Sequence, residues 1–599
     1  MYLENIDSPL DVHALPAQAL EPLCAELREA IIASSAAAGG HVGPNLGIVE
    51  LTVALHRVFT SPEDKLVFDV SHQTYAHKML TGRAASFADP AHYGEASGFA
   101  NPAESAHDLF AMGHTSTSVS LACGLAKARD LAGEHHNVVA VIGDGSLSGG
   151  LAFEGLDNAA ELASNLIIVV NDNEWSIAAD EGGLYRGLAR LRETGGTAPD
   201  NLFRALGLEY RYLEEGNDVH ACISALAELR DHPRPVVLHV HTTKGKGYAP
   251  AEHDPESWHH VGPFERATGT KLAGGRPSGG IVTTLPKSYA DLTGEYLLER
   301  MEANKGLVAI SSATPYMMGF TPERRTLAGQ QFIDVGIAEE HAVTFACGLA
   351  RAGATPVWGV YGTFLQRTYD QLWHDACLNA LPITILVFGS SAYGTTDATH
   401  LGFYDIAMLS DMPGLVYLAP TCLEEYRSML AWSLGWREGP VAIRVPGAGV
   451  VSRPGVALPS EGYASGQVEL VREGEGAALV ALGATMPLAE AAANKLREQG
   501  VLARIINPRR ATCLNEQALA RACSGCSVVV TLEDGVVGGG FGEHVARLFG
   551  ATETRVRCFG LPHGFPDRYD PKELLASCGM TPEDIAAEVV RLLSGTLAE

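Results

Sequence analysis

The chain has 599 residues, too many for one hydrophobic core, so several domains are expected. Apolar residues make up 46% and charged residues 19%, the balance of a globular α/β protein. Lys+Arg 43 against Asp+Glu 70 leaves a net charge of −27, which weighs against nucleic acid or an anionic membrane as the main partner but leaves room for a local basic pocket.

The N-terminus, MYLENIDSPLDVHALP, has neither the basic head nor the apolar stretch of a secretory signal. Apolar runs such as Leu166–Val170 and Ile383–Phe388 are strand-sized and far short of a membrane span. Eleven scattered cysteines, an odd number, form no closed disulfide framework and suggest a reduced, cytoplasmic setting. Cys523 and Cys526 make one C-x-x-C with no second pair beside it, a thin basis for zinc or redox chemistry.

Strand-like runs alternate with amphipathic helix-length segments: Val138–Ile142, Leu166–Asn171 and Val236–His241; Leu307–Ser311, Pro382–Val387 and Val441–Arg444; Gly476–Leu482 and Ser527–Leu532. Such alternation predicts an α/β protein with doubly wound, mostly parallel sheets. Ala273–Thr284 and Pro446–Gly462 are rich in Gly and Pro and read as linkers, dividing the chain into 1–275, 285–447 and 463–599.

Gly143-Asp144-Gly145-Ser146 follows the first of these strands, and Asn171-Asp172-Asn173 follows the second. Asp144 and Asn173 are 29 positions apart, room for one helix (Gly150–Ala163) and one strand. Both are therefore expected at the C-terminal ends of parallel strands, where ligands of open α/β sheets bind. Asp144, Asn173 and the carbonyl of Trp175 make a hard-oxygen half-shell for Mg²⁺, completed by diphosphate oxygens. Gly143 and Gly145 let the backbone approach phosphates, with Ser146 leading into a helix N-terminus that favours their charge. Together these segments form a thiamine diphosphate signature. A nicotinamide enzyme needs G-x-G-x-x-G with an acidic residue about 20 positions on, and Gly538–Gly542 lacks that layout.

Thiamine catalysis also needs a carboxylic acid at the aminopyrimidine. Ile337-Ala338-Glu339-Glu340-His341, after the strand-like Phe332–Val335, supplies Glu339, which burial would keep protonated; Glu340 reads as a solvated helix-start residue.

At this point the chain resembles the 1-deoxy-D-xylulose-5-phosphate synthase family, within the transketolase-like thiamine diphosphate enzymes, over nearly its whole length. The likeness is carried by Gly40–Gly47 (GHVGPNLG), Asp69–Gln73 (DVSHQ), Gly113–Ser118 (GHTSTS), Lys244–Tyr248 (KGKGY), Trp258-His259, Tyr361–Arg367 (YGTFLQR) and Tyr369-Asp370-Gln371. The resemblance implies that Glu339 activates the cofactor and Phe364 stacks on its pyrimidine. It implies that His41, His72, His259, His400 and Lys244 line the reacting centre, with Tyr361 and Arg367 beside it. Cofactor contacts are implied for His72, Gly113, His114, Thr115 and Ile337, and a homodimer of three-domain chains is expected.

Departures fall on the arginines with which the family grips a phosphorylated acceptor. Phe388-Gly389-Ser390-Ser391 has glycine where the family has arginine, and so does Val445-Pro446-Gly447-Ala448. Gly394–His400 (GTTDATH) keeps His400 but displaces the acid from 396 to Asp397, and Pro90–Asn101 has lost its basic residues. Glycine cannot replace a bidentate, charge-assisted phosphate contact. The expected enzyme decarboxylates a 2-oxo acid such as pyruvate and transfers the two-carbon unit to a carbonyl acceptor without phosphate. An ordinary 1-deoxy-D-xylulose-5-phosphate synthase, transketolase-type ketol transfer and an inactive thiamine-binding paralogue are the alternatives.

Overall fold

A computed structural model describes residues 2–272 and 287–595. The predicted linker Ala273–Thr284 lies outside the described residues. The chain divides into two compact units, Met1–Pro277 with Gly336–Ala338, and Ser278–Val335 with Glu339–Glu599.

The first unit is built on five parallel strands: β1 (Lys65–Phe68), β2 (Val138–Gly143), β3 (Ile167–Asp172), β4 (Glu209–Leu213) and β5 (Val236–His241), in the order β1-β2-β3-β5-β4. Strands β2, β3 and β5 are almost wholly buried because helices cover both faces, so they read as unbroken Val/Ile/Leu runs rather than alternations. Separate apolar clusters lie on the two faces, one holding Val138, Ala140 and Ile142, the other Val139 and Val141. The helix after β2 runs Gly150–Ala160 and stops three residues short of the predicted Ala163, at Glu161.

The second unit holds two sheets. Strands β6 (Leu307–Ser311), β7 (Phe332–Asp334), β8 (Thr355–Tyr361), β9 (Thr384–Phe388), β10 (Val416–Leu418) and β11 (Val441–Arg444) are all parallel, in the order β10-β11-β9-β8-β6-β7. Strands β12 (Glu469–Arg472), β13 (Gly476–Ala481), β14 (Arg504–Asn507), β15 (Cys526–Val536) and β16 (Arg555–Leu561) follow in the order β12-β14-β13-β15-β16, with only β12 antiparallel. One apolar core runs from Ile310, Trp358 and Ile385 to Val480, Val529 and Phe541, so the two sheets fold as one body. Buried charges reinforce the join: Arg444 at the end of β11 bonds Asp405 at 2.8 Å and also Asp534 on β15, while Arg509 bonds Glu425 at 3.0 Å.

All eleven cysteines are free thiols, and Cys523 and Cys526 are both buried. No helix among the described residues is long and apolar enough to cross a membrane.

Candidate active site

In the first unit Asp144 is the first residue past β2 and is 2% exposed. Its backbone N–H still bonds the Asn171 carbonyl of β3 at 3.1 Å, which fixes where the carboxylate points. Oδ1 accepts from Gly145 N at 2.9 Å, and Oδ2 accepts from Asn173 N at 2.7 Å and Glu174 N at 2.6 Å. The two loops that follow β2 and β3 are thus tied through one side chain. Burial, with Asp180 and Asp172 nearby, pushes the Asp144 carboxyl well above the usual carboxylate range. Asp172 itself is held down, to about 2, by His239 at 2.8 Å and by Arg192.

This arrangement fits a divalent cation. The Oδ1 of Asn173 is buried with no hydrogen-bond partner, as befits a ligand oxygen awaiting a metal. A cation there would also offset the electrostatic penalty on Asp144. Among the described residues no cluster of three or more His, Cys, Asp or Glu side chains forms a metal cage. Gly143 has nothing within 4 Å of where a side chain would begin, leaving room for a phosphate. Gly145 also has a steric reason to be glycine: a Cβ there would lie 2.8 Å from Ser176 of the protein itself. A cavity of about 580 Å³ lies alongside, with Trp175, Asp180 and Arg186 on its wall. Lys244, 3% exposed, donates to the Ser176 carbonyl and lies 6.0 Å from the Trp175 ring; burial lowers its ammonium to about 8 against the pull of Asp144 and Asp180.

The histidines of three distant motifs meet in the same unit. The His41 ring centroid is 5.0 Å from His72 and 5.8 Å from His259, and His72 stacks on His259 at 5.2 Å. Burial, then Lys244 and His72, hold the His259 imidazole well below its ordinary range, so it is neutral. Asn45, wholly buried, sets this geometry. Its Nδ2 donates to the carbonyls of both His41 and His72 at 2.7 Å, and its Oδ1 accepts from Tyr75 N at 2.8 Å.

Asp69, at the end of β1, accepts from Ser116 N at 2.7 Å and Ser118 N at 2.9 Å, and so pins the loop that carries Gly113, His114 and Thr115. Ser148, just after Ser146, accepts from Ile337 N at 3.0 Å, in the short segment that groups with this unit. The loop Pro90–Asn101 is anchored by buried ion pairs. Lys78 and Arg83 pair with Glu104 and Asp108, whose carboxylates accept from Ser97 N and Asn101 N, both at 2.8 Å. That loop sets Phe99 edge-on against His41 at 5.5 Å.

In the second unit Glu339 opens the helix Glu339–Arg351 and is 2% exposed. Burial raises its carboxyl, although Arg367, at 3.4 Å, pulls the other way. Tyr361 closes β8, and Phe364 lies edge-on to Tyr361 at 6.1 Å and to His400 at 5.6 Å. The displaced acid is not idle: Asp397 accepts from Thr399 N at 2.8 Å, and the Thr399 hydroxyl lies 2.8 Å from His400 Nδ1. Gly389 takes φ +64°, with Tyr361 3.2 Å from its absent Cβ, whereas the nearest atoms to that of Gly447 are Ser391 Oγ and the Tyr393 carbonyl oxygen at 3.4 Å.

The residues proposed from sequence thus gather into two groups, one in each unit. Asn45, Asp69, Asp172 and His260, whose ring is 4.6 Å from His41, were not singled out from the sequence. Asn45, Asp69 and Asp172 stand inside the quoted segments GHVGPNLG, DVSHQ and Asn171-Asp172-Asn173 without a role of their own, and His260 follows the Trp258-His259 motif.

Comparison with known proteins adds to this picture. The sequence matches the family described as 1-deoxy-D-xylulose-5-phosphate synthase over residues 3–198, the transketolase pyrimidine-binding domain over 286–448 and the transketolase C-terminal domain over 466–585. A 1-deoxy-D-xylulose-5-phosphate synthase of Desulforudis audaxviator is 40% identical, with 97% of this chain and 95% of that protein aligned. One from Geobacter sulfurreducens is 38% identical, covering 99% of this chain and 97% of that protein. The chain therefore belongs to the 1-deoxy-D-xylulose-5-phosphate synthase family and is a thiamine diphosphate-dependent transferase with a transketolase-like α/β fold.

Proposed function

We propose that the enzyme decarboxylates a 2-oxo acid such as pyruvate and joins the remaining two-carbon unit to a carbonyl acceptor that carries no phosphate. The observation that carries this reading is the chemistry around Gly389 and Gly447. The atoms nearest their absent side chains belong to Tyr361, Ser391 and Tyr393, all uncharged. Nearby arginines have other work: Arg444, three residues before Gly447, is held by Asp405 and Asp534, and Arg367 pairs with Glu339. A phosphate dianion with no such partner faces a prohibitive desolvation cost.

Mg²⁺ would be held by Asp144, Asn173 and the Trp175 carbonyl, and the diphosphate by the backbone at Gly143, Gly145 and Ser146, with Gly113, His114, Thr115, His72 and Ile337 as further contacts. Bound thiamine diphosphate supplies the electron sink that stabilises the carbanion left by decarboxylation. Glu339 holds the proton at the aminopyrimidine, Phe364 stacks on that ring, and Arg367 and Tyr361 orient the carboxyl and its surroundings. His41, His72, His259, His400 and Lys244 move or hold protons at the substrate oxygens. The family matches support a division into domains at 1–275, 285–447 and 463–599. A cytoplasmic homodimer completes the reading.

The test is a competition at saturating pyruvate and cofactor between D-glyceraldehyde 3-phosphate and unphosphorylated aldehydes, with CO₂ release as readout. Preference for the phosphorylated triose would make this an ordinary 1-deoxy-D-xylulose-5-phosphate synthase. Ketol transfer from ketose phosphates without CO₂ would make it a transketolase, and no turnover with any donor would make it an inactive paralogue.

A further inference from the structure

We infer that His260 is the solvent-side entry of a histidine proton relay serving the reacting centre; this rests on the decarboxylating reading above. Stoichiometry sets the need. The donor carboxylate leaves as CO₂, and its bonding pair forms the new bond to the acceptor carbonyl carbon. The acceptor oxygen takes up the carbonyl π pair and ends as a hydroxyl. Other protons moved during the cycle are returned within it, so each turnover draws one proton from water.

Of the histidines that the family resemblance assigns, the three of the first unit are poorly placed to collect that proton. His41, His72 and His259 are all part-buried, and Nδ1 of His259 is sealed from solvent. A group that passes a proton inward must meet both water and this cluster. His260 meets both: it is exposed, and its ring centroid is 4.6 Å from that of His41, nearer than His72 at 5.0 Å or His259 at 5.8 Å. From His41 the series continues to His72 and on to His259, which stack at 5.2 Å.

Imidazole suits the role, since one nitrogen can accept a proton while the other donates one, and both forms are accessible near neutral pH. The proton taken from water at His260 passes to His41 and from there to the acceptor oxygen, and each ring ends in the state in which it began. The spacing does not have to be assembled during turnover, because Asn45 holds the carbonyls of His41 and His72 at 2.7 Å each. His260 lies one position beyond the Trp258-His259 motif and outside the residues that the family likeness assigns.

The test uses the holoenzyme with pyruvate and a saturating aldehyde acceptor. His260→Gln and His260→Ala are expected to lower kcat by about 10²-fold, the low end of what a positioned proton-transfer group contributes. Added imidazole should restore the His260→Ala enzyme in proportion to its concentration, and calorimetric affinity for thiamine diphosphate should be unchanged in both variants. Wild-type kcat in His260→Gln, a loss that imidazole leaves untouched, or a loss that tracks weaker cofactor binding would each overturn the relay. If the wild type releases no CO₂ from any 2-oxo acid, the underlying reading fails first and the relay goes with it; that result needs no variant to detect.

Discussion

Asp144 and Gly389 occupy matching places, each the first residue beyond an interior parallel strand, β2 in one unit and β9 in the other. At Asp144 a buried carboxylate accepts three backbone N–H groups and ties two loops together. At Gly389 the loop turns by backbone conformation alone, φ +64°, and packs its carbonyl so tightly that a Cβ on Gly394 or Gly402 would lie 2.2 Å from it. The first strand end is specified by charge and the second by the absence of a side chain. A charged residue announces its ligand, whereas a glycine announces only what the ligand no longer needs.

The contrast breaks most completely if Asp144 can be removed without harm. Asp144→Ala takes away the proposed metal ligand and leaves the N–H groups of Asn173 and Glu174 without their acceptor. A lost hydrogen bond to a charged group costs about 1.5–3 kcal/mol, so two of them together predict a loss of cofactor affinity of about 10²–10⁴-fold, with no measurable turnover. Calorimetry with thiamine diphosphate and Mg²⁺ gives the answer, and unchanged affinity would remove Asp144 from the site.

Next in size is Glu339→Gln, which keeps the shape and the cofactor but cannot shuttle a proton. Hydrogen–deuterium exchange at the thiazolium carbon should slow by about 10²–10⁴-fold. The wild type offers a pH check on the same residue. Burial raises the carboxyl, so its proton is present at low pH and is lost as pH rises through the raised pKa. Exchange that depends on that proton should therefore fall on the alkaline side. Wild-type exchange rates in the variant would refute the assignment.

The acceptor comparison comes third. Two missing arginines are expected to disfavour glyceraldehyde 3-phosphate by about 10²–10⁴-fold if their effects add, which for neighbours they need not. The competition described above reads this ratio directly.

The sheets were legible because buried parallel strands leave unbroken apolar runs, and Val236–His241, Leu307–Ser311 and Val441–Arg444 coincide with β5, β6 and β11. Short or less apolar strands such as β1, β4 and β12 left no such run. The family resemblance named the histidines, but nothing local said that Asn45 would hold the carbonyls of two of them at once, since that depends on a loop 27 positions away. The shared core of the second and third sheets was equally hidden, because apolar runs do not say which sheet they pack against. Gly145 was read for a phosphate, and its close approach to Ser176 is a further constraint, a contact across two loops that spacing cannot encode.

The smallest expected effect sharpens the comparison further by putting charge back at the glycine end. Gly447 has no left-handed φ, and the nearest atoms to its absent Cβ stand 3.4 Å away, so an arginine can be built there with little local movement. One restored charge-assisted hydrogen bond is worth about 1.5–3 kcal/mol, so Gly447→Arg should raise kcat/KM for the phosphorylated triose by about tenfold, toward the low end because the side chain is not preorganised. Gly389→Arg should do less and should lower the thermal midpoint. A side chain at φ +64° costs about 1–2 kcal/mol, and its Cβ would press on Tyr361 at 3.2 Å. Measuring both variants against the same pair of acceptors separates the two causes. If Gly447→Arg leaves the phosphate preference unmoved while folding normally, position 447 does not face the acceptor, and the case for an uncharged acceptor then rests on Gly389 alone.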